Sequence, residues 1–598
     1  LEDNPFLVLD TKFFSAEFKH KLVGSMENVD EECNGLLINS ENFQALELLQ
    51  EKYAKTVDSI YLDPPYNTDA SEILYKNNYK SSAWCSLLYD RELLGRKLLK
   101  ITGLSCTTID DAQFHELYYI LKSIYDIEGS ILGTIAIKNN PSGRSTASGF
   151  SIAHEYGLFC SATHSSRIGR LERTEEQNNR YGERDEKGAF EWVNFRKHGG
   201  FKEDAPTMYF PIYITETSIR MLWNAEKGEY DVLEKPIEGE IKILPIDEEG
   251  RQRRWKWGLD RTLNSLNEMC VRLDRTKQFG VYIKSRLNDE GILPLTVWDK
   301  SCYSSTSNGA NLLANILGDK SMFSYPKSLY AVIDSLKVLQ LNKNCLGLDF
   351  FAGSGTTGHA VIYLNREDKG NRKYILCEMA EYFNSVTKPR IEKVIYSEDW
   401  KDGKPVSRKG ISQCFKYIRL EQYEDTLNNL QPKNQRLDFD NENGKGDFEE
   451  TYFLRYMLDT ETKGDLFNLE WFKNPFAMSI KTTKDNELVD THVDMVETFN
   501  YLIGLNVETL RYPKDGYCVV EGTTHIGNER TLVIWRNCNK VSNEDLNEFF
   551  RKQAYCTTDS EFDKIYVNGD NTLPNIKTDE EHWKVVLIEE EFKKRMFE

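Results

Sequence analysis

Two short segments hold side chains able to do chemistry. The first is Asp63-Pro64-Pro65-Tyr66-Asn67-Thr68, which follows the apolar run Val57 to Leu62. Each proline fixes its own φ and donates no backbone hydrogen bond, so the turn is stiff. A carboxylate and an aromatic ring are thereby held on a rigid platform at a strand end, where open α/β sheets bind ligands. The second segment is Leu348-Asp349-Phe350-Phe351-Ala352-Gly353-Ser354-Gly355-Thr356-Thr357. Here a strand runs into a Gly-Ser-Gly turn and then a helix, and glycines let a cofactor approach the backbone closely. Glu378 ends the next strand, where an acidic side chain takes the hydroxyls of a ribose. With Gly358 the turn spells GxGxxG, so spacing alone does not separate a dinucleotide from another adenosine cofactor. The Asp63 motif has to decide between them.

The elements that must carry these segments alternate. Gly35–Asn39, Val57–Leu62, Leu104–Ile109, Ile131–Ile137, Tyr156–Cys160, Leu346–Phe350 and Tyr374–Cys377 read as strands, mostly joined by helical stretches. Ser40 reads as the N-cap of a helix carrying Phe43, Leu46, Leu49 and Tyr53. The pattern predicts a doubly wound, mostly parallel, seven-stranded α/β sheet. Residues 1–165 and 321–420 supply its two parts. Between them, 166–320 is polar and lacks the rhythm, as expected of an inserted domain. Residues 421–450 read as a linker or loop and 451–598 as a C-terminal α+β domain, within the roughly three or four domains that 598 residues suggest.

Composition narrows the classes. The net charge of −19 opposes loose electrostatic attachment to nucleic acid, yet Arg251 to Arg286 holds ten Lys/Arg against three acids, with Trp255 and Trp257 interleaved. Twelve cysteines lie far apart with no CxxC, which argues against a zinc ribbon or a disulfide framework and for free thiols in a reducing cytoplasm. The nine histidines are scattered, so no metal site is expected, and His154 and His359 read as structural. No apolar run approaches a membrane span, and Leu1 to Asp10 lacks a secretory layout. A soluble cytoplasmic protein is expected. There is no GxxxxGK[ST] loop and no nuclease carboxylate cluster.

Taken together, the two motifs resemble the catalytic and cofactor motifs of amino-directed DNA methyltransferases that use S-adenosylmethionine. The catalytic motif comes first, as in the beta, permuted group. Gly35 to Leu49, Ser105 to Asp111, His154-Glu155-Tyr156 and Phe323-Ser-Tyr-Pro-Lys327 fit as well. With the chain length and Phe499-Asn-Tyr-Leu-Ile-Gly-Leu505, the sequence resembles modification subunits of Type III restriction–modification systems. Phe350 stands where that family often has proline, as does Ser328 after Pro326-Lys327.

The resemblance implies roles. Asp63 and the carbonyl of Pro64 would accept the N–H groups of an adenine N6, on a turn stiffened by Pro65, with Tyr66 stacked on the flipped base. Asp349, Phe351, Gly353, Ser354, Gly355 and Thr356 would surround the cofactor, with Glu378 on its ribose, Lys327 near its carboxylate and Asp63 also close. Arg251, Arg253, Arg254, Lys256 and Arg261 would contact double-stranded DNA from the target-recognition insertion. A homodimer, held partly by the C-terminal region, and a separate restriction/helicase subunit would be the partners, with no membrane. Three other readings compete. An N4-cytosine enzyme usually starts the catalytic motif with Ser. A nicotinamide dehydrogenase leaves Asp63 unexplained, and a DNA-binding assembly subunit with an inactive site leaves both motifs unexplained.

Overall fold

The computed structural model describes residues 4–67, 81–143, 149–221, 223–224, 229–230, 236–274, 277–288, 290–429, 467–484, 487–580 and 582–597. Thr68, most of the 141–149 loop, most of the expected linker and the start of the C-terminal domain lie outside them. Chain contacts divide the protein into two compact units, Leu1–Gly169 with Pro294–Glu598, and Arg170–Leu293.

The larger unit is built on a nine-stranded sheet. In chain order its strands are β1 (Cys33–Asn39), β2 (Val57–Leu62), β3 (Leu99–Ile109), β4 (Ser130–Ile137), β5 (Glu155–Ser161), β6 (Val297–Trp298), β7 (Leu346–Asp349), β8 (Lys373–Glu378) and β9 (Cys414–Arg419). In space they run β6-β4-β5-β3-β2-β7-β8-β1-β9. All pairs are parallel except those of β5, which is antiparallel to β3 and β4. The seven expected strands are all present, and β6 and β9 are two more, so the expected count was too low. The central strands are apolar on both faces because helices cover both sides. Leu37, Ile38, Ile60, Leu62, Leu348 and Leu376 are buried.

Helices α1 (Asn42–Tyr53), α2 (Ser81–Leu98), α3 (Phe114–Tyr125), α4 (Leu329–Val338), α5 (Thr356–Asp368) and α6 (Thr387–Tyr396) pack around the sheet. In α1, Ala45, Leu46 and Leu49 face the core at helical spacing. Its cap is Glu41, not Ser40: the Glu41 carboxylate accepts from the N–H groups of Phe43 and Gln44, while the Ser40 hydroxyl donates to the Glu41 carbonyl. The longer acidic side chain reaches the orphan N–H groups from one residue further on. Further along the chain, Leu505–Arg511, Tyr517–Thr524, Arg530–Arg536, Lys564–Val567 and Val585–Leu587 form a five-stranded mixed sheet. Its core includes Phe499, Val520, Val533, Trp535 and Phe592.

The smaller unit is mostly antiparallel β-structure around Phe195, Phe210, Ile212, Ile214, Trp255, Val281 and Ile283. It is shorter than the expected 166–320. Residues 294–320 belong to the larger unit, because Val297 and Trp298 extend the sheet beside Ala136 and Ile137. A two-residue strand carries too little pattern to mark that boundary in the sequence.

Candidate active site

Strand register brings the two motifs to one sheet edge. Ser59 and Ile60 of β2 lie level with Gly347 and Leu348 of β7, so Asp63 and the turn after Asp349 leave the sheet side by side. Asp349 is level with Leu376 of β8, which places Glu378 beside Phe351. Leu62 is level with Thr107, so Thr108 sits next to Asp63. Because β5 runs antiparallel, its first residue, Glu155, arrives at the edge where its neighbours end. A cavity of about 400 Å³ opens there, lined among others by Asp63, Pro64, Tyr66, Glu155, Lys327, Phe351, Gly353 and Glu378.

One wall is a hydrogen-bonded carboxylate cluster. The Thr108 hydroxyl donates to Asp63 Oδ1 at 2.8 Å, and Lys327 Nζ lies 3.1 Å from the same oxygen. Lys327 also bonds Glu155 and the Tyr66 hydroxyl, and its ammonium lies 4.7 Å from the Tyr66 ring centroid. Asn139 donates its amide to Glu155 Oε2 at 2.8 Å. Burial pulls the Lys327 pKa down, but Asp63 and Glu155 outweigh it and hold the ammonium above its ordinary value. Burial, then Asp63 and Glu155, push the Tyr66 phenol well up, so it stays neutral. Pro65 is fixed from behind, its carbonyl accepting the Trp84 indole N–H at 2.9 Å.

The other wall is the glycine turn. Gly353 and Gly355 both have positive φ, +52° and +79°, a backbone region that favours glycine. Asp349, buried beneath, accepts from the Phe351 N–H and from the Thr357 hydroxyl. Burial raises its pKa to about 7 against those two bonds. Glu378 Oε2 accepts from the Gly353 N–H at 2.9 Å, and Oε1 from the N–H groups of Met379 and Ala380. A Cβ at Gly353 would approach the Phe323 ring at 3.7 Å, with only the Phe351 carbonyl also within 4 Å, so the missing side chain leaves open space on the cavity side.

The residue types fit this geometry to one chemistry. A family model described as DNA methylase matches residues 57–388, more than half of the chain. The chain belongs to the DNA methylase family. Among curated relatives, the Type II methyltransferase M.KpnI of Klebsiella pneumoniae is 30% identical over 384 residues, covering 60% of this chain and 84% of that one. The EcoPI Mod subunit of Escherichia phage P1, a Type III restriction-modification enzyme, is 27% identical over 432 residues, covering 66% and 64%. The StyLTI Mod subunit of Salmonella typhimurium is 26% identical over 403 residues, covering 59% and 54%. The match therefore spans less than two thirds of either Mod subunit. This DNA methyltransferase has the features that S-adenosylmethionine requires: a Cβ-free turn bordering open volume, a buried carboxylate beside it, and the hydroxyls of Ser354 and Thr356 on the cavity wall.

Of the predicted site residues, Asp63, Pro64, Pro65, Tyr66, Lys327, Asp349, Phe351, Gly353, Ser354, Thr356 and Glu378 line this one cavity, with Gly355 in the turn beneath. Within it, Lys327 is engaged by Asp63, Glu155 and Tyr66. Thr108, Asn139 and Glu155 complete the cluster. Of these, Glu155 lies in the His154-Glu155-Tyr156 stretch and Thr108 in the Ser105-to-Asp111 stretch, whereas Asn139 carries no sequence signal.

The predicted DNA residues lie in the smaller unit and differ among themselves. Trp255 is a core residue stacked on Phe195, with its N–H donated to the Phe210 carbonyl, so its interleaving with arginines is packing. Arg251 pairs with Asp247 and Glu249, and Arg253 with Asp247. Arg261 lies over Trp257, and Lys256 is exposed. Arg254 stands opposite Lys197 on the neighbouring strand, and among the described residues no acid pairs with either. No group of described His, Cys, Asp or Glu residues is arranged to hold a metal. No described helix is long and apolar enough to cross a membrane.

Proposed function

We propose that the chain is the modification subunit of a Type III-like restriction–modification system, acting on adenine N6 in double-stranded DNA in the cytoplasm. The observation that carries the reading is the placement of Asp63 on the cavity that the glycine turn and Glu378 also line. S-adenosylmethionine supplies an electrophilic methyl when bound. The protein's task is to hold a poor nucleophile against it. The adenine amino lone pair is delocalised into the ring, and acceptors at both N–H groups localise it. Asp63 and the Pro64 carbonyl are the acceptors, each contributing roughly 3–4 kcal/mol if placed where positive charge develops. Thr108 and Lys327 fix Asp63 from one side, and Tyr66 gives the base a face to stack on. An amino group inside a duplex is out of reach, so the base must flip, at about a few kcal/mol.

Glu378 takes the ribose hydroxyls, and the smaller unit reads the site. Asp63 at the head of the catalytic motif favours adenine over cytosine N4. Relatives named as Mod subunits support the Type III assignment, with a homodimer and a separate restriction subunit as partners. Methylation-aware sequencing of DNA from cells expressing the wild type or Asp63→Ala tests it. N6-methyladenine within one sequence motif, absent from the variant, is expected. A mark on cytosine, or the same mark with Asp63→Ala, would overturn the reading.

A further inference from the structure

Behind the glycine turn lies a charge that the reaction as described does not use. Arg390, on α6, is fully buried. Its Nη1 donates to Ser354 Oγ at 2.9 Å, to Thr356 Oγ1 at 2.8 Å and to the Ser354 carbonyl at 3.3 Å. Its Nη2 lies 3.3 Å from His359 Nδ1, and Nε has no partner among the described residues. Burial, then the charges of Arg390 and Arg366, hold His359 neutral, so Nδ1 accepts. Every described partner of the guanidinium is therefore neutral. Burial lowers the Arg390 pKa to about 9, which still leaves it protonated at pH 7. A buried cation without an acid is costly, and packing alone would be served as well by an apolar side chain.

The geometry of the two hydroxyls shows what that cation does. A hydroxyl has one hydrogen, and when a guanidinium occupies its lone pairs the hydrogen must point elsewhere. Ser354 Oγ and Thr356 Oγ1 are 3.3 Å apart, so one can donate to the other. The second hydrogen is then left for the cavity that both residues line. Thr387, a turn earlier on α6, donates to the Gly353 carbonyl at 2.6 Å and locks the same segment. Lys327 is already engaged by two carboxylates at the other wall, and Glu378 is itself an anion. The cavity thus has one wall where a hydroxyl hydrogen is left to be directed inward, with a positive charge behind it that no described acid neutralises.

We propose that Arg390 is a positioning residue for the cofactor's α-carboxylate, orienting the Ser354 and Thr356 hydroxyls as donors and lending that wall its charge. The proposal rests on the S-adenosylmethionine reading. It predicts a loss confined to ligands that carry the carboxylate.

Calorimetric titration of the full chain with S-adenosylmethionine and with 5′-methylthioadenosine, which lacks the amino-acid end, tests it. Arg390→Gln should raise the Kd for S-adenosylmethionine about tenfold or more, about 1.4 kcal/mol, and leave that for methylthioadenosine within about twofold. Arg390→Lys should recover most of the loss. Thr356→Val, which removes one hydroxyl and keeps the cation, should show the same selectivity, and it decides the matter if Arg390→Gln does not fold. Equal losses for both ligands, or none, would overturn the proposal. Wild-type protein that binds neither ligand would instead overturn the cofactor reading beneath it.

Discussion

Glu378→Gln separates what the carboxylate does for the protein from what it does for the cofactor. Both oxygens already accept backbone N–H groups, Oε2 from Gly353 and Oε1 from Met379 and Ala380. Glutamine keeps one acceptor oxygen. Turned toward the two N–H groups of Met379 and Ala380, it sets its NH₂ against the Gly353 N–H, donor to donor. A buried donor left unsatisfied costs about 1–3 kcal/mol, which should lower the melting temperature by a few degrees. Against the ribose the same change removes a charged acceptor, a further loss of about 1.5–3 kcal/mol. Affinity for S-adenosylmethionine should then fall roughly 10- to 100-fold. Calorimetry gives the affinity and thermal unfolding of the free protein gives the stability. A Kd within about twofold of wild type would refute the ribose role. Should adenosine and 2′,3′-dideoxyadenosine weaken equally, the loss would come through the turn alone.

Two further outcomes follow from buried or unpaired charge. Glu92 is buried with one oxygen unpartnered among the described residues, and burial raises its pKa to about 7 despite the Thr107 hydroxyl bond. The folded state therefore holds this proton longer than the unfolded chain. The resulting stability is full below about pH 4.5 and lost as pH rises through about 7, on the order of 3 kcal/mol. Glu92→Gln should gain melting temperature over wild type between pH 5 and pH 8, while Asp349, raised the same way, keeps some slope in both proteins. An equal difference at both pH values would refute the burial argument. In the smaller unit, Arg254→Ala with Lys197→Ala should weaken DNA binding and reduce the slope of log K against log salt by about 2, because no described acid neutralises either. Arg251→Ala, whose charge Asp247 and Glu249 already hold, should leave that slope nearly unchanged. The opposite ranking in salt titrations would return Arg254 to a packing role.

What could be read in advance follows from how each feature is encoded. The seven strands were legible because burial on both faces leaves continuous apolar runs such as Leu36–Ile38 and Leu346–Leu348. Strand β9, Cys-Phe-Lys-Tyr-Ile-Arg, alternates at a half-exposed edge, and β6 has two residues, so neither stood out from loop. Asp63, the glycine turn and Glu378 were legible because each is a local string. Thr108 is an ordinary residue within β3 and Asn139 lies two residues beyond the end of β4, so only the strand register and a long-range hydrogen bond place them against Asp63 and Glu155. Trp255 misled in the other direction: a tryptophan among arginines reads as a nucleic-acid surface, whereas the ring fills the core and the adjacent Arg253 is half-buried against Phe201 and held by Asp247. Arg390 gave no signal, since one cation on an amphipathic helix reads as solvent-facing until its burial is seen.

The same register explains why two motifs so distant in sequence line one cavity. In a parallel sheet, neighbouring strands end at the same edge whatever lies between them in the chain, so an insertion between β5 and β6 leaves the geometry of Asp63 and Gly353 untouched. The one antiparallel strand adds what parallel neighbours cannot: it begins at that edge, and its first residue is a buried acid. Glu155 draws Lys327 across from the segment before α4, and Lys327 in turn holds Asp63 through Oδ1, together with Thr108. Both described partners of Asp63 sit on that single oxygen. Oδ2 has no described partner, so under the proposed function it is the oxygen left to accept an incoming N–H, with Lys327 a support for the carboxylate rather than a competitor for it.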